Sequence, residues 1–365
     1  MKLRERLKSA RQKVGFTQKE VSQRCGIDDS SLSSFECGRS EPRLAQLDKL
    51  AEVYHVALSY FFQESQERPQ GIMWRNKPSN DKEIQAKFLQ LCSQYRQLEI
   101  WTNELSQKRL PTLDTYSDNC WYPQVEEMAS DARHAMRLGD RPGQSLYWIL
   151  EEVYGVKIFH MELGQAGIAG CAVSDELGEA ILLNRNCSQW RRNHDLAHEL
   201  FHLLTWANFK HTEGIYEPTK QEEKFATCFA GNLLLPTELV RTAISKVTNS
   251  EGKVPFSKLD TIAREFDVSL ESLFWRMHFL FAWDEEKTLK FVEKVREYVK
   301  SAEREDDSNP KLLPARYRAL AIRALQNGDI SLGRFAKFMG IGRTEARHYI
   351  SGREPDYAEV PTLVA

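Results

Sequence analysis

No run of about 18 apolar residues occurs in this chain, which removes a membrane-spanning helix from the expected architecture. No CxxC pair occurs either. The cysteines (Cys25, Cys37, Cys92, Cys120, Cys171, Cys187 and Cys228) stand singly and are odd in number, which argues against a disulfide framework or a Cys-rich structural zinc site. Reduced thiols in a cytoplasm are the simpler expectation. The opening residues, Met1-Lys2-Leu3-Arg4-Glu5-Arg6, lack the apolar core of a signal peptide. An excess of either charge is also missing: 50 Lys/Arg against 52 Asp/Glu leave a formal net charge of −2, an average that says little about partners. A 365-residue chain with 41% hydrophobic and 28% charged residues is long enough for two or three domains with real cores.

What is present is organised around His198-Glu199-Leu200-Phe201-His202. Two histidines four apart on a helix project from one face, so both imidazoles reach a single metal ion. The intervening Glu199 is then placed to take a proton from a metal-bound water. Trp190, Leu196, Ala197, Leu200, Leu203 and Leu204 make the surrounding helix strongly apolar, as a site inside a core requires. The next helix runs through Gln221–Pro236 and sets Glu223, Thr227 and Ala230 on one face. Small residues at that spacing allow close helix approach, bringing a carboxylate to the histidines as a His-His-Glu Zn2+ site needs. Glu222 points about 100° away on the same helix, so only one of the two reaches. His211 or Tyr216, in the intervening polar loop, is a candidate oxyanion donor. Cys120 is a candidate inhibitory zinc thiolate, with Cys92 second.

Taken in order, residues 1–66 read as a five-helix domain. Thr17 and Glu20 form a capping box, Gly26 ends that helix, and Asp28 or Asp29 opens the next. Residues 67–123 read as a linker and a long helix, with Ile72-Met73-Trp74-Arg75 able to dock. Residues 124–283 read as a catalytic domain in which strands over 156–163, 168–173 and 179–184 make a small antiparallel sheet before the catalytic helix. Residues 284–365 read as a helical C-terminal region. Its segment 311–353 carries nine Lys/Arg against two Asp/Glu and reads as a second helix-turn-helix, with Arg343 and Arg347 as candidate nucleic-acid contacts. The fold class expected is α+β, mostly helical, with a zincin-like HExxH domain.

Two resemblances add to this reading. Thr17-Gln18-Lys19-Glu20-Val21, Gly26-Ile27, Ser30-Ser31-Leu32-Ser33 and Glu36-x-Gly38-Arg39-x-x-Pro42 resemble the XRE/Cro-C1 helix-turn-helix family. That resemblance implies DNA contacts through Gln18, Asp29, Ser30, Ser34 and Arg39. Asp28-Asp29 departs from it by turning two carboxylates toward phosphates. Asp195-Leu196-Ala197-His198-Glu199-Leu200-x-His202, followed by Glu223-x-x-Ala226-x-x-Phe229-Ala230-x-x-Leu233-Leu234-Leu235-Pro236, resembles the ImmA/IrrE metallopeptidases. Such enzymes cut helix-turn-helix repressors in phage, mobile-element or stress settings, so the resemblance implies a zinc endopeptidase with a repressor as substrate. Phe201 stands where that family usually has Gly, and Asp195 where it often has Thr. A competing reading is a DNA-binding regulator that uses the peptidase fold as a sensor or partner-binding module. A third has nucleic acid at the basic C-terminal region switch on cleavage. No membrane partner is expected, and a dimer is compatible with the sequence.

Overall fold

The computed structural model describes residues 2–62, 72–113, 121–164, 169–174, 176–206, 218–301 and 310–349. Contacts divide the chain into two units, one of Met1–Cys92 with Ser106–Leu312 and one of Ser93–Leu105 with Leu313–Ala365.

The first unit opens with α1 (Leu3–Val14), α2 (Gln18–Cys25), α3 (Asp29–Cys37), α4 (Leu44–Val53) and a short 3-10 turn at Leu58–Phe62. Thr17 and Glu20 exchange the two capping-box bonds, and Gly26 takes the left-handed conformation that ends α2. The side chains that pattern these helices meet in one core, among them Leu7, Val21, Leu32, Phe35, Leu47 and Tyr54.

Past this domain, Met73–Trp74 forms a short strand, β1, followed by the long α5 (Asp81–Trp101). The order continues with α6 (Tyr122–Ala135), α7 (Pro142–Trp148) passing into a single π-type turn, then β2 (Lys157–Met161), β3 (Gly170–Ser174) and β4 (Gly178–Asn184). The sheet is mixed, not antiparallel as the hydropathy pattern suggested. Its order is β1-β3-β4-β2, with β2 parallel to β4 and the other pairs antiparallel. Ala180-Ile181-Leu182-Leu183 explains the difference: an unbroken apolar run buried along its length is a central strand, so β4 lies between β2 and β3. Gly170 makes room at the edge, because a Cβ there would lie 2.7 Å from the Met73 carbonyl oxygen and 2.8 Å from Ile72 Cγ2. The docking segment foreseen at Ile72–Arg75 therefore extends this sheet.

Helices α8 (Gln189–Thr205) and α9 (Lys220–Leu234) follow, then α10 (Thr237–Val247), α11 (Phe256–Glu265), α12 (Leu270–Leu280) and α13 (Glu285–Ser301). Phe274, Met277, Val292 and Val295 join the same core as α8 and α9, so α13 packs with the first unit.

The second unit combines the end of α5 with α14 (Ala315–Gln326), α15 (Leu332–Met339) and α16 (Arg343–His348). Trp101 stacks on Phe338, Tyr95 meets Tyr317 edge-on, and Arg316 reaches the buried Glu99 at 2.6 Å. Among the described residues, no helix is long and apolar enough to cross a membrane.

Candidate metal centre

Helix α8 is buried on nearly every side from Arg192 to Thr205. One stripe of it nevertheless carries ionisable groups: Asp195, His198, Glu199 and His202, each at most 1% exposed. Buried polar groups at this density require partners, and α9 supplies the main one. Glu223 places one carboxylate oxygen 3.2 Å from His198 Nε2 and the other 3.3 Å from His202 Nε2. The two Nε2 atoms lie 3.4 Å apart. All three ligand atoms fall within 4.8 Å of one another. Glu222 is engaged elsewhere, since its carboxylate accepts the Thr219 N–H and caps α9.

The protonation pattern suits a cation. Burial lowers the His198 pKa to about 3, so its imidazole is neutral near pH 7. Burial pushes Glu223 upward, but its contacts with His198 and His202 outweigh that and bring it to about 2. Thr227 fixes the tautomer of His198. Its single hydroxyl proton goes to the Glu223 carbonyl at 2.9 Å, leaving the oxygen to accept from His198 Nδ1 at 3.4 Å. The lone pair then sits on Nε2, facing His202 and Glu223. Two imidazole Nε2 atoms and a carboxylate gathered around one point are a His-His-Glu donor set, and Zn2+ fits it.

Glu199 lies beside this cluster without being part of it. Neither of its carboxylate oxygens accepts a bond from a nitrogen or oxygen donor among the described residues. Burial raises its pKa well above the usual carboxylate range, and Arg75 pulls the other way. The Cys171 thiol is a neighbouring polar group, itself raised by burial and by Glu199.

Two of the surrounding residues carry no local signature that would mark them for this site. Arg75 reaches Asp195 at 2.6 Å and brings positive charge close to His198 and Glu199. Cys171 comes from β3, paired with Met73 of the docking segment. The pairing between β1 and β3, which decides both positions, is a long-range event that no local pattern encodes. Asp195, a departure from the ImmA/IrrE pattern, is where Arg75 and Arg191 converge. Phe201, the other departure, is fully buried between His202 and Phe229, with ring centroids 5.6 and 5.5 Å away.

Several expected residues fall elsewhere. His211, Tyr216 and Cys120 lie outside the described residues. Cys92 is fully buried and its thiol is pushed up to about 12, which opposes a thiolate role. In the N-terminal domain the Gln18 amide donates to Glu36 at 2.9 Å, and Glu36 also holds Arg11. Asp29, Ser30 and Arg39 are exposed, whereas Ser34 is half-buried and donates to the Ser30 carbonyl. Arg343 and Arg347 are exposed on α16.

Comparison with known proteins agrees with this architecture. Residues 151–278 match the peptidase family described as the IrrE N-terminal-like domain, and residues 7–61 match the helix-turn-helix family. The chain therefore carries an XRE-type helix-turn-helix domain and a peptidase domain of the ImmA/IrrE type. Over 60 residues it is 42% identical to the HTH-type transcriptional regulator ImmR of Bacillus subtilis, covering 16% of this chain and 47% of that protein. Over 70 residues it is 33% identical to the HTH-type transcriptional regulator PuuR of Escherichia coli, covering 19% of this chain and 38% of that one. The chain thus spans less than half the length of these relatives. A solved chain described as a Mycobacterium tuberculosis transcriptional regulator aligns over 52% of this chain and 51% of its own, at 14% identity and a TM-score of 0.28.

Proposed function

We propose that this chain is a zinc-dependent endopeptidase whose substrate is a regulatory protein, an HTH repressor of a stress, phage-defence or mobile-element response. The observation that carries the reading is the convergence of His198, His202 and Glu223 from two helices beside a buried Glu199 whose carboxylate takes no bond from a nitrogen or oxygen donor among the described residues. His198, His202 and Glu223 would hold Zn2+. When bound there, zinc supplies Lewis acidity, making water acidic near neutral pH and polarising a scissile carbonyl.

The residues of the chain do the rest. Glu199 takes the proton from the attacking water and returns it to the leaving nitrogen. Its burial favours that role, because a desolvated carboxylate has a raised proton affinity. Thr227 holds His198 in the tautomer that offers its lone pair, and Arg75 places a cation near the reacting region. The attached XRE-type domain supports a regulator as substrate, since relatives of that segment are themselves transcriptional regulators.

The test is to incubate zinc-loaded protein with candidate repressors and look for one defined cut by mass spectrometry. His198→Ala and Glu223→Ala lose zinc, while Glu199→Gln keeps zinc stoichiometry and loses cleavage. Normal cleavage by Glu199→Gln would remove the mechanism. Defined cutting of no repressor by zinc-replete protein would favour the regulator reading, in which the peptidase fold senses a ligand.

A further inference from the structure

The second unit repeats, with different residues, the local geometry of α2 and α3. Helix α2 is eight residues long, follows Thr17, and ends at Gly26 with φ 67° and ψ 30°. Helix α15 is also eight residues long, follows Ser331, and ends at Gly340 with φ 65° and ψ 31°. The Thr17 hydroxyl accepts the Glu20 N–H at 3.2 Å, and the Ser331 hydroxyl accepts the Arg334 N–H at 3.2 Å. An isoleucine follows each glycine, Ile27 and Ile341, and one further residue opens the next helix. In this register the buried Val21 matches the buried Phe335, and the buried Leu32 matches the buried Ala346. Agreement in the length of the first helix, the turn backbone and the inward positions defines a helix-turn-helix.

The outward face differs between the two. Helix α3 presents Asp29 and Ser30, preceded by Asp28, all exposed. Helix α16 presents Arg343, Thr344, Arg347 and His348, all exposed and on one face at i, i+1, i+4 and i+5, with the exposed Glu345 turned roughly 130° from the middle of that face. Residues 311–349 hold eight Lys/Arg against two Asp/Glu. Of those cations, Arg316 is taken up by Glu99 and Arg323 by Glu104. Lys337, Arg343 and Arg347 lie on the two helices that this motif turns toward a duplex. Arg343 has no ion pair among the described residues. Its guanidinium lies over Gly333 at the start of α15, with Nη2 3.4 Å from where a Cβ would stand.

We infer that the unit of Ser93–Leu105 and residues from Leu313 binds duplex DNA, with α16 in the major groove and α15 across the backbone. Arg343 and Arg347 reach base edges or phosphates, and Lys337 faces phosphate. This assignment is independent of the peptidase reading, because it rests on residues outside that domain.

The test uses the full chain and a fluorescein-labelled, mixed-sequence duplex of roughly 30 base pairs, read by anisotropy at about 50 and 200 mM salt. Wild type binds at the lower salt. R343E/R347E weakens binding by about 30-fold or more and makes the log–log salt slope shallower by about two. R343Q/R347Q, which keeps side-chain size, falls between the two, and unchanged circular dichroism separates lost contact from lost folding. Wild-type affinity in R343E/R347E overturns the assignment. So does a wild-type chain that binds no duplex at low salt, or single-stranded DNA or RNA that competes as well as duplex. Loss of binding in S30E with retention in R343E/R347E would move the DNA face to α3 and equally overturn it.

Discussion

Replacing Asp195 with alanine tests whether the docked segment is locked to α8. Asp195 is 1% exposed and receives Arg75 at 2.6 Å and Arg191 at 3.0 Å. Breaking a buried pair by removing one partner costs about 3–5 kcal/mol, because the other charge stays desolvated. Here that figure needs a discount, since Arg75 is 14% exposed and can rehydrate and Arg191 is 40% exposed. About 2 kcal/mol is left for the local opening of residues 72–76. At roughly 1.4 kcal/mol per decade, this predicts about 30-fold faster hydrogen exchange at the Arg75 amide, which bonds the Ala169 carbonyl at 3.1 Å. Arg75→Met should cost less, because Asp195 keeps Arg191. The double variant should fall short of the sum of the singles. Exchange at Arg75 within twofold of wild type in Asp195→Ala would refute the lock. The pH dependence gives a second check. Burial pushes the Asp195 carboxyl up, but His194, Arg191 and Arg75 together bring it below its ordinary 3.8. A depressed folded pKa contributes stability that is full above the unfolded value and lost as pH falls through the folded one. Protection at Arg75 should therefore collapse below about pH 4 in wild type, and Asp195→Ala should lack that acid limb.

The remaining predictions concern packing and the ligand shell. Phe201→Ala removes a fully buried ring and should cost about 3–5 kcal/mol, read as a lower urea midpoint for the first unit; a change under about 1 kcal/mol would mean the site collapses around the loss. Thr227→Val removes the acceptor that fixes His198 and should weaken zinc by about tenfold in competition with a chromophoric chelator, at the low end for an outer-shell partner because Thr227 is exposed and water can substitute. Alkylation of native protein near pH 8 should modify the exposed Cys37 well before Cys92 or Cys171, which burial keeps as thiols; equal labelling would contradict their burial.

Much of this molecule is written locally. The capping box at Thr17 and Glu20, the αL glycine at Gly26 and the helical spacing of His198 and His202 each involve residues within a few positions of one another. Glu223 was also legible, because small residues spaced along α9 signalled close approach to α8. The strand order was not. Sequential strands usually pair as neighbours, and only the unbroken apolar run of β4 marks it as the central strand flanked by β2 and β3. Arg75 lies 120 residues from its partner Asp195 and looks like an ordinary linker cation until β1 pairs with β3. Cys171 likewise reaches Glu199 only through the sheet.

The two departures from the ImmA/IrrE pattern have one kind of explanation. At about 100° per residue, Asp195 shares the face of His198, Glu199 and His202, while Phe201 is turned roughly 120° from it. Each departing side chain meets a group from another element: Asp195 meets Arg75 next to β1, and Phe201 meets Phe229 of α9. Without Arg75, an aspartate buried to 1% would keep only the more exposed Arg191 as a charged partner besides His194, and a glycine at 201 would leave a void beside His202. The departures are therefore halves of pairs whose other members lie outside the motif. Restoring the family residue at either position alone should destabilise this chain, since a threonine at 195 strands Arg75 and a glycine at 201 strands Phe229. What looks like erosion of a motif in one helix is, in three dimensions, that helix fitted to a strand and a neighbour of its own chain.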